Sequence, residues 1–397
     1  MQRFYSFGLS FFLGCVLVFS HHTVFAANAL PLSLKPPTAP LLAANSYLLK
    51  DYDSGQIVMQ KDIHKRVEPA SLTKLMTSYV VFSELASEHL KLTDTAKISE
   101  KAWKMEGSRM YLKLGSLVTV DELIKGMIIQ SGNDASVALA EMIAGDESAF
   151  AALMNQYAEH LGMKETHYIN STGMPDPNHY TTAFDMSIIT EALIRNFPGY
   201  YGVYAEKEYT YNEITQQNRN RLLWRDNSVD GLKTGHTENA GYCLIASAKR
   251  GDMRLISVVM GTESKKSRVN ESQKMLTYGF RFFESVPLYQ AGKTIQTERV
   301  WQGTQPSITI GLQYDLHITI PRGKADKVIS EIRVNTPLIA PISKDSVLGE
   351  VIAKYEGKVL AKRPLMATHA VEQGNFFQRL LDTVLLFIQK LWEDIIA

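Results

Sequence analysis

The spacing of apolar residues divides the chain into a helical middle flanked by strand-like segments. Over residues 71–194, apolar side chains recur at intervals of three and four, which predicts helices. Before them, residues 47–49 and 57–59 flank the turn Asp53-Ser54-Gly55 and predict a β-hairpin. After them, two largely apolar runs predict strands at residues 241–248 and 254–261. Strands at both ends with helices between them predict one sheet that joins the two ends of the domain.

The pattern changes after about residue 285. Residues 307–310 and 316–320 alternate between apolar and polar side chains, and residues 351–355 and 358–361 flank the turn Glu356-Gly357. This pattern predicts a small β-rich domain over residues 286–372, after a larger domain over residues 45–285. No candidate catalytic cluster falls in the β-rich part.

The C-terminal segment, predicted as residues 373–397, is amphipathic. On a helix, its apolar residues share one broad face: Phe377, Leu380, Leu381, Val384, Phe387, Ile388, Leu391, Trp392 and Ile395. Most polar residues lie opposite, where Leu386 and Ile396 are the exceptions. We expect residues 374–397 to bind a membrane surface through apolar burial, since the segment carries two basic and three acidic residues. A terminal helix packed on its own domain is the alternative.

The first 26 residues predict a secretory signal peptide. Arg3 supplies the positive charge, residues 7–19 are uncharged and mostly apolar, and cleavage is expected after Ala26 or at a second candidate site, Ala27-Asn28-Ala29. The apolar run is short for a membrane span, which needs about 20 residues, although a single anchor is the alternative. Residues 27–44 contain four prolines and predict an extended spacer.

Composition narrows the functional classes. The chain has 42 basic and 41 acidic residues, and this balance does not favour a nucleic-acid partner. Its two cysteines, Cys15 and Cys243, are too few for a disulfide scaffold or a cysteine-rich zinc module, and cleavage of the signal would leave Cys243 alone. The sequence implies no metal and no cofactor. A length of 397 residues predicts two to three domains.

Three short motifs are candidates for the chemistry. Ser71-Leu72-Thr73-Lys74 opens a predicted helix, where a spacing of three places the serine hydroxyl and the lysine amine on one face. A lysine with a lowered pKa can accept the hydroxyl proton of the serine, and loss of this proton makes the serine oxygen nucleophilic. Ser131-Gly132-Asn133 breaks the helical pattern 60 residues later, and Lys233-Thr234-Gly235-His236 precedes a strand. That strand edge would offer its backbone to an extended peptide, and Gly235 would allow close approach of a ligand.

The order of these motifs resembles that of the serine penicillin-recognising enzymes. The chain is most similar to the low-molecular-mass penicillin-binding proteins that act as D-alanyl-D-alanine carboxypeptidases, with matches in Glu68–Lys74, Asp230–Thr237, 254–261 and 279–284. The resemblance implies an α/β (α+β) catalytic domain with a central antiparallel sheet flanked by helices. It also implies a small β-rich C-terminal domain and an amphipathic C-terminal helix.

The resemblance further implies the roles of the site residues. Ser71 is expected to be the nucleophile, Lys74 the general base and Ser131 a proton relay aided by Lys233. Asn133 is expected to hold the substrate amide, and the backbone N–H groups of Ser71 and His236 to form the oxyanion hole. The remaining expected substrate-binding residues are Thr234, Gly235, Arg268 and Arg219, although each arginine has the alternative of being a solvated surface charge.

The expected activity is removal of the terminal D-alanine from a peptidoglycan stem peptide, with β-lactams as covalent inhibitors. The expected location is the periplasmic face of the bacterial inner membrane. Endopeptidase, transpeptidase or weak β-lactamase action and a non-catalytic envelope scaffold are the alternatives. Some members of the family that the chain resembles carry a histidine in the loop after the second motif, where Thr172 stands here, so the resemblance does not imply a deacylation rate. Nearby His179 is interpreted as a loop residue.

Overall fold

The computed structural model describes Met1 and residues 36–396 of the chain. The predicted signal peptide, with Cys15 and both cleavage sites, and residues 27–35 lie outside the described part. The helices and strands of the first lobe are, in chain order, β1 (Ser46–Asp51), β2 (Ile57–Lys61), α1 (Lys74–Ala86), β3 (Thr95–Lys97), α2 (Glu100–Lys104), β4 (Leu117–Thr119), α3 (Val120–Ile129), α4 (Asn133–Ala144), α5 (Glu147–Leu161), α6 (Ala183–Asn196), α7 (Pro198–Tyr201), β5 (Glu208–Tyr211), β6 (Ile214–Gln217), α8 (Leu222–Arg225), β7 (Val229–Thr237), β8 (Gly241–Arg250), β9 (Met253–Thr262) and α9 (Lys265–Phe282).

A five-stranded antiparallel sheet with the order β2-β1-β9-β8-β7 forms the centre of this lobe. Neighbouring residues on one strand contribute to different cores, as Leu244 and Ile245 do on β8. The core on the Ile245 side includes residues of α1 and α3 to α6, and the core on the Leu244 side includes residues of α9. Because both faces are covered, the central strands are apolar without alternation. The predicted sheet of N- and C-terminal strands is therefore present.

The second lobe is built almost entirely from strands. Its elements are β10 (Phe283–Tyr289), β11 (Thr294–Trp301), β12 (Ser307–Gly311), β13 (Leu316–Pro321), β14 (Val328–Val334), β15 (Leu338–Ile339), β16 (Val347–Tyr355), β17 (Lys358–Ala367) and the terminal helix α10 (Phe376–Ile396). Six of the strands form one sheet in the order β14-β16-β17-β12-β11-β15, and β10 pairs with β13. The first strand, β10, follows α9 directly at Phe283, three residues before the predicted start of the domain.

The two lobes are joined by hydrogen bonds, of which those at Thr319 are buried. The hydroxyl of Thr319 on β13 lies 2.6 Å from the hydroxyl of Ser54 in the β1–β2 turn, and it donates to Asp51 Oδ2 at 3.0 Å. Arg322 donates to the carbonyls of Phe280 and Phe283, where one lobe passes into the other. The polar groups of Ser54, Asp51 and Thr319 are buried, so loss of either Thr319 bond would leave a partner unsatisfied.

The terminal helix α10 contacts the second lobe through its polar side. The Asp382 carboxylate accepts from the backbone N–H of Gln302 at 2.6 Å and lies 3.7 Å from the guanidinium of Arg299. Leu386, one turn later, lines a cavity together with Trp301 of the β-rich lobe, which explains why it departs from the amphipathic pattern. The apolar face is exposed along its length, as shown by Phe377, Leu380, Leu381, Val384, Phe387, Ile388, Leu391, Trp392 and Ile395.

Across residues 36–396, no helix is both long enough and apolar enough to cross a membrane.

The described end of the predicted spacer packs on the catalytic lobe. Leu42 and Ala44 are buried in the core that α9 covers, and the Tyr278 hydroxyl donates to the Pro37 carbonyl at 2.9 Å. Residues 36–44 form no helix or strand. This part of the segment is therefore an extended but attached strap rather than a free linker.

Candidate active site

The nucleophile candidate lies on a short 3-10 turn, Ala70–Thr73, that leads directly into α1. Ala70 adopts a left-handed conformation, with φ of 49°, which is rare for a residue with a side chain and is common at active sites. The Ser71 side chain reaches the active-site pocket, while Lys74 begins α1 and is fully buried. The turn therefore presents the hydroxyl and sequesters the amine from water.

Lys74 is placed to act as a base. Its Nζ lies 3.3 Å from Ser71 Oγ, 2.7 Å from Asn133 Oδ1 and 2.6 Å from the Thr172 carbonyl. Burial lowers the pKa of Lys74 to about 7, and the positive charge of Arg219 adds to the effect. At neutral pH about half of the molecules then carry the free amine, which can accept a proton.

Ser131 and Lys233 form a second hydroxyl–amine pair across the pocket. Ser131 adopts a left-handed conformation, with φ of 70°, just before α4, and Lys233 Nζ donates to its Oγ at 2.7 Å. Burial holds the pKa of Lys233 well below its usual range, and nearby Lys74 adds to this. The 102-residue separation in sequence becomes a direct contact because α4 and β7 face the same pocket.

Asn133 has partners within the protein that the sequence did not reveal. Its Oδ1 accepts from Lys74, and its Nδ2 donates to the Glu106 carbonyl at 2.7 Å and contacts Met174 Sδ at 3.8 Å. In this structure the side-chain amide orients the base and holds the loop between α2 and β4, and its expected role of holding the substrate amide stays a prediction. The motif spacing could not distinguish these roles because both place the amide beside the serine.

Gly235, which lines the pocket, is required for packing. A Cβ at this position would lie 3.0 Å from the Pro69 carbonyl and 3.3 Å from the Ala70 Cβ. These distances are tighter than ordinary van der Waals contacts. The third motif therefore packs directly against the nucleophile turn, and the close approach of a ligand at Gly235 stays a prediction.

Arg268 supports the same strand from α9. It is 6% exposed, and its Nη1 donates to the Gly235 carbonyl at 3.1 Å and to the Cys243 carbonyl at 3.4 Å. Burial lowers the pKa of Arg268 to about 10, which still leaves the guanidinium charged at neutral pH. Arg268 is therefore a buried cation of the site and not a solvated surface charge, whereas Arg219 stays exposed at the pocket mouth.

The pocket that these elements enclose has a volume of about 400 Å³. It brings together seven predicted residues with four that the sequence did not single out: Ser71, Ser131, Arg219, Thr234, Gly235, His236 and Arg268, with Gly107, Ser108, Tyr242 and Lys265. Lys74, Asn133 and Lys233 lie behind this surface and contact its residues. Gly107 and Ser108 lie on a loop with no motif of its own, so only the folded chain reveals them.

The loop after the second motif lies close to the base. Asn170 Oδ1 accepts from the Thr172 hydroxyl at 3.0 Å and from the backbone N–H of Gly173 at 2.7 Å. Thr172 is 1% exposed and contacts Lys74 through its carbonyl. Because its hydroxyl is bonded within the loop, Thr172 contributes a carbonyl to the site.

His179 contacts the nucleophile turn, which its sequence position did not indicate. It is 2% exposed; its Nε2 lies 2.9 Å from Thr73 Oγ1, and its Nδ1 accepts from the Ile169 N–H. Burial lowers the pKa of His179 to about 4, so the ring is neutral at pH 7. Since Nδ1 accepts, Nε2 carries the hydrogen that is donated to Thr73.

A serine beside a buried amine of lowered pKa, opposed by a second serine–lysine pair, defines a serine acyl-transfer site. The family model for D-alanyl-D-alanine carboxypeptidase matches residues 34–264, and that for the penicillin-binding protein 5 C-terminal domain matches residues 283–373. The chain belongs to the D-alanyl-D-alanine carboxypeptidase family of serine hydrolases. The predicted family, fold class and enzyme class are confirmed.

Relatives match over most of the chain. The sequence is 44% identical to D-alanyl-D-alanine carboxypeptidase DacA of Escherichia coli K12 over 372 residues, which is 91% of this chain and 92% of the relative. It is 44% identical to DacC of the same organism, over 88% and 89% of the two chains. Penicillin binding protein 5 from Haemophilus influenzae superposes with a TM-score of 0.82 at 43% identity, over 85% of this chain and 100% of that one.

Proposed function

We propose that this carboxypeptidase removes the terminal D-alanine from peptidoglycan stem pentapeptides through an acyl-enzyme on Ser71. The proposal rests on the contact between Ser71 Oγ and the buried amine of Lys74. Because the pKa of Lys74 is about 7, the amine can accept the hydroxyl proton as Oγ attacks the carbonyl of the penultimate residue. The backbone N–H groups of Ser71 and His236 are our candidates for stabilising the oxyanion.

Departure of the terminal D-alanine requires a proton on its nitrogen. Ser131 Oγ, which accepts a hydrogen bond from Lys233, is our candidate for the relay. As the C–N bond breaks, the ester on Ser71 remains, and a water molecule then hydrolyses it to regenerate the enzyme. Thr234 and Arg268 would bind the terminal carboxylate, since a hydroxyl and a cation both complement an anionic group.

The same serine should react with penicillin. Mass spectrometry of the purified protein after incubation with penicillin should show one adduct, which Ser71→Ala removes and Ser108→Ala, the control at another hydroxyl of the pocket, retains. In parallel, a peptide ending in D-Ala-D-Ala should release free D-alanine with wild type and none with Ser71→Ala. An adduct that survives Ser71→Ala would assign the nucleophile elsewhere, and absence of D-alanine release would refute the carboxypeptidase proposal.

We also propose that the chain is exported and held on the periplasmic face of the inner membrane by α10. The support is the exposed apolar face of α10, whose polar side contacts the β-rich lobe instead. An apolar helical face of this kind suits the lipid interface. Residues 27–397 should float with lipid vesicles, whereas residues 27–373 should remain in solution. Equal flotation of both would refute the membrane role of α10.

A non-catalytic envelope scaffold is disfavoured by the chemistry retained in the pocket. Burying two lysines costs free energy, and Lys74 and Lys233 are 0% and 2% exposed. This arrangement has a chemical use in acyl transfer and none in a scaffold.

A further inference from the structure

The pocket carries more positive charge than one terminal carboxylate requires. Within the part of the chain that the structure describes, the residues that line the pocket include Arg219, Lys265 and Arg268 but no aspartate or glutamate. Two more lysines lie behind the surface, and burial lowers the pKa of each. Repulsion from nearby cations lowers these pKa values further, from Arg219 in the case of Lys74 and from Lys74, Arg219 and Arg268 in the case of Lys233. A second anionic group in the substrate would relieve part of this repulsion.

Lys265 is the cation without an assigned role. It lies in the first turn of α9 beside Lys266, and that turn has no acidic residue. Positive side chains are unfavourable at a helix N-terminus, where the backbone N–H groups already present partial positive charge. Among residues 36–396, no carboxylate lies within ion-pair distance of Lys265. Its exposed amine is therefore available to a ligand at the pocket rim.

A buried group one turn further along α9 also points to a ligand at this place. Arg268 is 6% exposed and lines the same pocket, and its Nε has no hydrogen-bond partner in the described structure. A buried N–H donor without a partner is costly. Arg268 and Lys265 are three residues apart and therefore lie on one face of the helix.

The order of groups along β7 locates Lys265 relative to the substrate. Thr234, the expected site for the terminal carboxylate, is followed two residues later by His236, whose N–H is the candidate oxyanion donor. The peptide before the scissile bond must therefore extend beyond His236. Lys265 and His236 line the same pocket. The positive charge of Lys265 also adds to the lowering of the pKa of the His236 ring, after the larger effects of burial and Arg268, so Lys265 lies near the His236 end of this path.

We propose that Lys265 is a specificity-determining residue that binds a second carboxylate, carried by the side chain of the residue immediately before D-Ala-D-Ala. This inference rests on the proposed carboxypeptidase function and adds its preferred substrate class. It makes the enzyme selective for acidic stem peptides over those in which the same group is an amide. Exposed Glu238, whose charge opposes the lowering of the His236 pKa, would weaken this selectivity but does not line the pocket.

The test uses two pentapeptides that differ only at the residue before D-Ala-D-Ala. Its side chain ends in a carboxylate in one peptide and in the corresponding amide in the other. We would measure kcat and KM of the full exported chain and of Lys265→Gln, with Lys265→Arg as the conservative variant. Lys266→Gln is the matched control, because this neighbouring lysine is also exposed and does not line the pocket. Wild type should favour the carboxylate peptide by roughly two- to fivefold in kcat/KM, the range expected for an exposed ion pair.

Lys265→Gln should abolish this preference by raising KM for the carboxylate peptide alone, whereas Lys265→Arg and Lys266→Gln should keep it. An equal loss on both peptides would assign Lys265 to the terminal carboxylate or to the fold, and would overturn the inference. Equal use of the two peptides by wild type would also overturn it, while leaving the carboxypeptidase proposal intact. Absence of D-alanine release from both peptides would refute that proposal and this inference with it.

Discussion

The side chain of Lys74 shows how burial converts a common surface residue into a base. Three acceptors surround its Nζ: a hydroxyl, an amide oxygen and a carbonyl. None of them carries a charge, so the ammonium form loses hydration without gaining an ion pair. The distant carboxylates of Asp134 and Glu147 recover only part of this loss.

Acylation should therefore depend on the protonation of Lys74. The second-order rate constant with a fluorescent penicillin should rise tenfold per pH unit below about 7 and level off above it, since the amine is free only above its pKa. Lys74→Arg, which cannot deprotonate, should reduce the rate by about 10²–10⁴-fold at every pH. A flat profile for wild type between pH 5 and 8 would exclude Lys74 as the titrating base.

His179 should make stability depend on pH. An unfolded histidine binds a proton below about 6.5, but the folded ring does so only below about 4. The unfolded state thus takes up more protons between these values, and the stability present above pH 6.5 is lost as the pH falls through this window. From pH 7 to pH 5, denaturant unfolding should show a loss of about 2 kcal/mol from this residue alone.

His179→Gln is the matched variant, because its amide can still donate to Thr73 but does not titrate. Between pH 7 and pH 5, the free energy of unfolding should fall by about 2 kcal/mol less in this variant than in wild type. Parallel loss in both proteins would show that other groups cause the pH dependence.

The sequence predicts which residues meet in the site where this follows from the order of the motifs. It does not predict contacts that depend on packing. Ser71, Lys74, Ser131 and Lys233 meet as their motifs indicated. Asn133 contacts Glu106, which belongs to no motif, and the crowding at Gly235 arises where the third motif packs on Pro69 of the first. No local pattern could reveal such contacts, because they form only when distant segments pack.

One wall of the pocket is held by a single buried carboxylate on α4. Asp134 is 1% exposed and accepts from the backbone N–H groups of Met110 at 3.0 Å and Leu112 at 3.2 Å. Tyr111 between them adopts a left-handed conformation, with φ of 66°. Asp134 thus holds a strained segment of the loop that carries Gly107 and Ser108 to the pocket.

Asp134→Asn should loosen this wall, since one carboxylate oxygen becomes an NH₂ group that faces a backbone donor. We expect a loss of about 1–3 kcal/mol in the free energy of unfolding, measured with denaturant, and faster hydrogen exchange at Met110 and Leu112. Exposed Asp146, the N-cap of α5, provides the control: Asp146→Asn removes charge but should leave exchange at these two amides unchanged. Unchanged exchange in Asp134→Asn would contradict the role of the carboxylate.

At the scale of elements, the helical and strand periods predicted what forms but not which strands become neighbours. The hairpin of β1 and β2 was evident from its turn, but the pairing of β1 with β9 joins residues about 200 positions apart. Such a pairing depends on apolar burial on both faces of the sheet, and many apolar strands could satisfy it. The composition of a segment therefore predicts that it forms a strand, whereas the order of the strands in the sheet depends on the packing of the complete core.

The whole molecule links the catalytic pocket to α10 through two attachments. The first joins the lobes at Thr319, and the second joins α10 to β11 and the turn after it at Asp382. The sequence showed the apolar face of α10 but not this attachment, since one acidic residue on a polar face is ordinary. The polar side of α10 thus holds the helix on the protein and leaves the apolar face for the proposed lipid interface.

Two substitutions in α10 should separate attachment from lipid binding. Asp382→Ala removes the acceptor for the Gln302 N–H, so hydrogen exchange at Gln302 should become at least about tenfold faster, while flotation with vesicles persists. Val384→Asp places a charge on the exposed apolar face and should weaken flotation without changing exchange at Gln302. Both variants should cleave a soluble D-Ala-D-Ala peptide at the wild-type rate, because α10 lies on the other lobe. If Asp382→Ala abolished flotation while Val384→Asp did not, the lipid-facing side of α10 would have to be the side that contacts the β-rich lobe here.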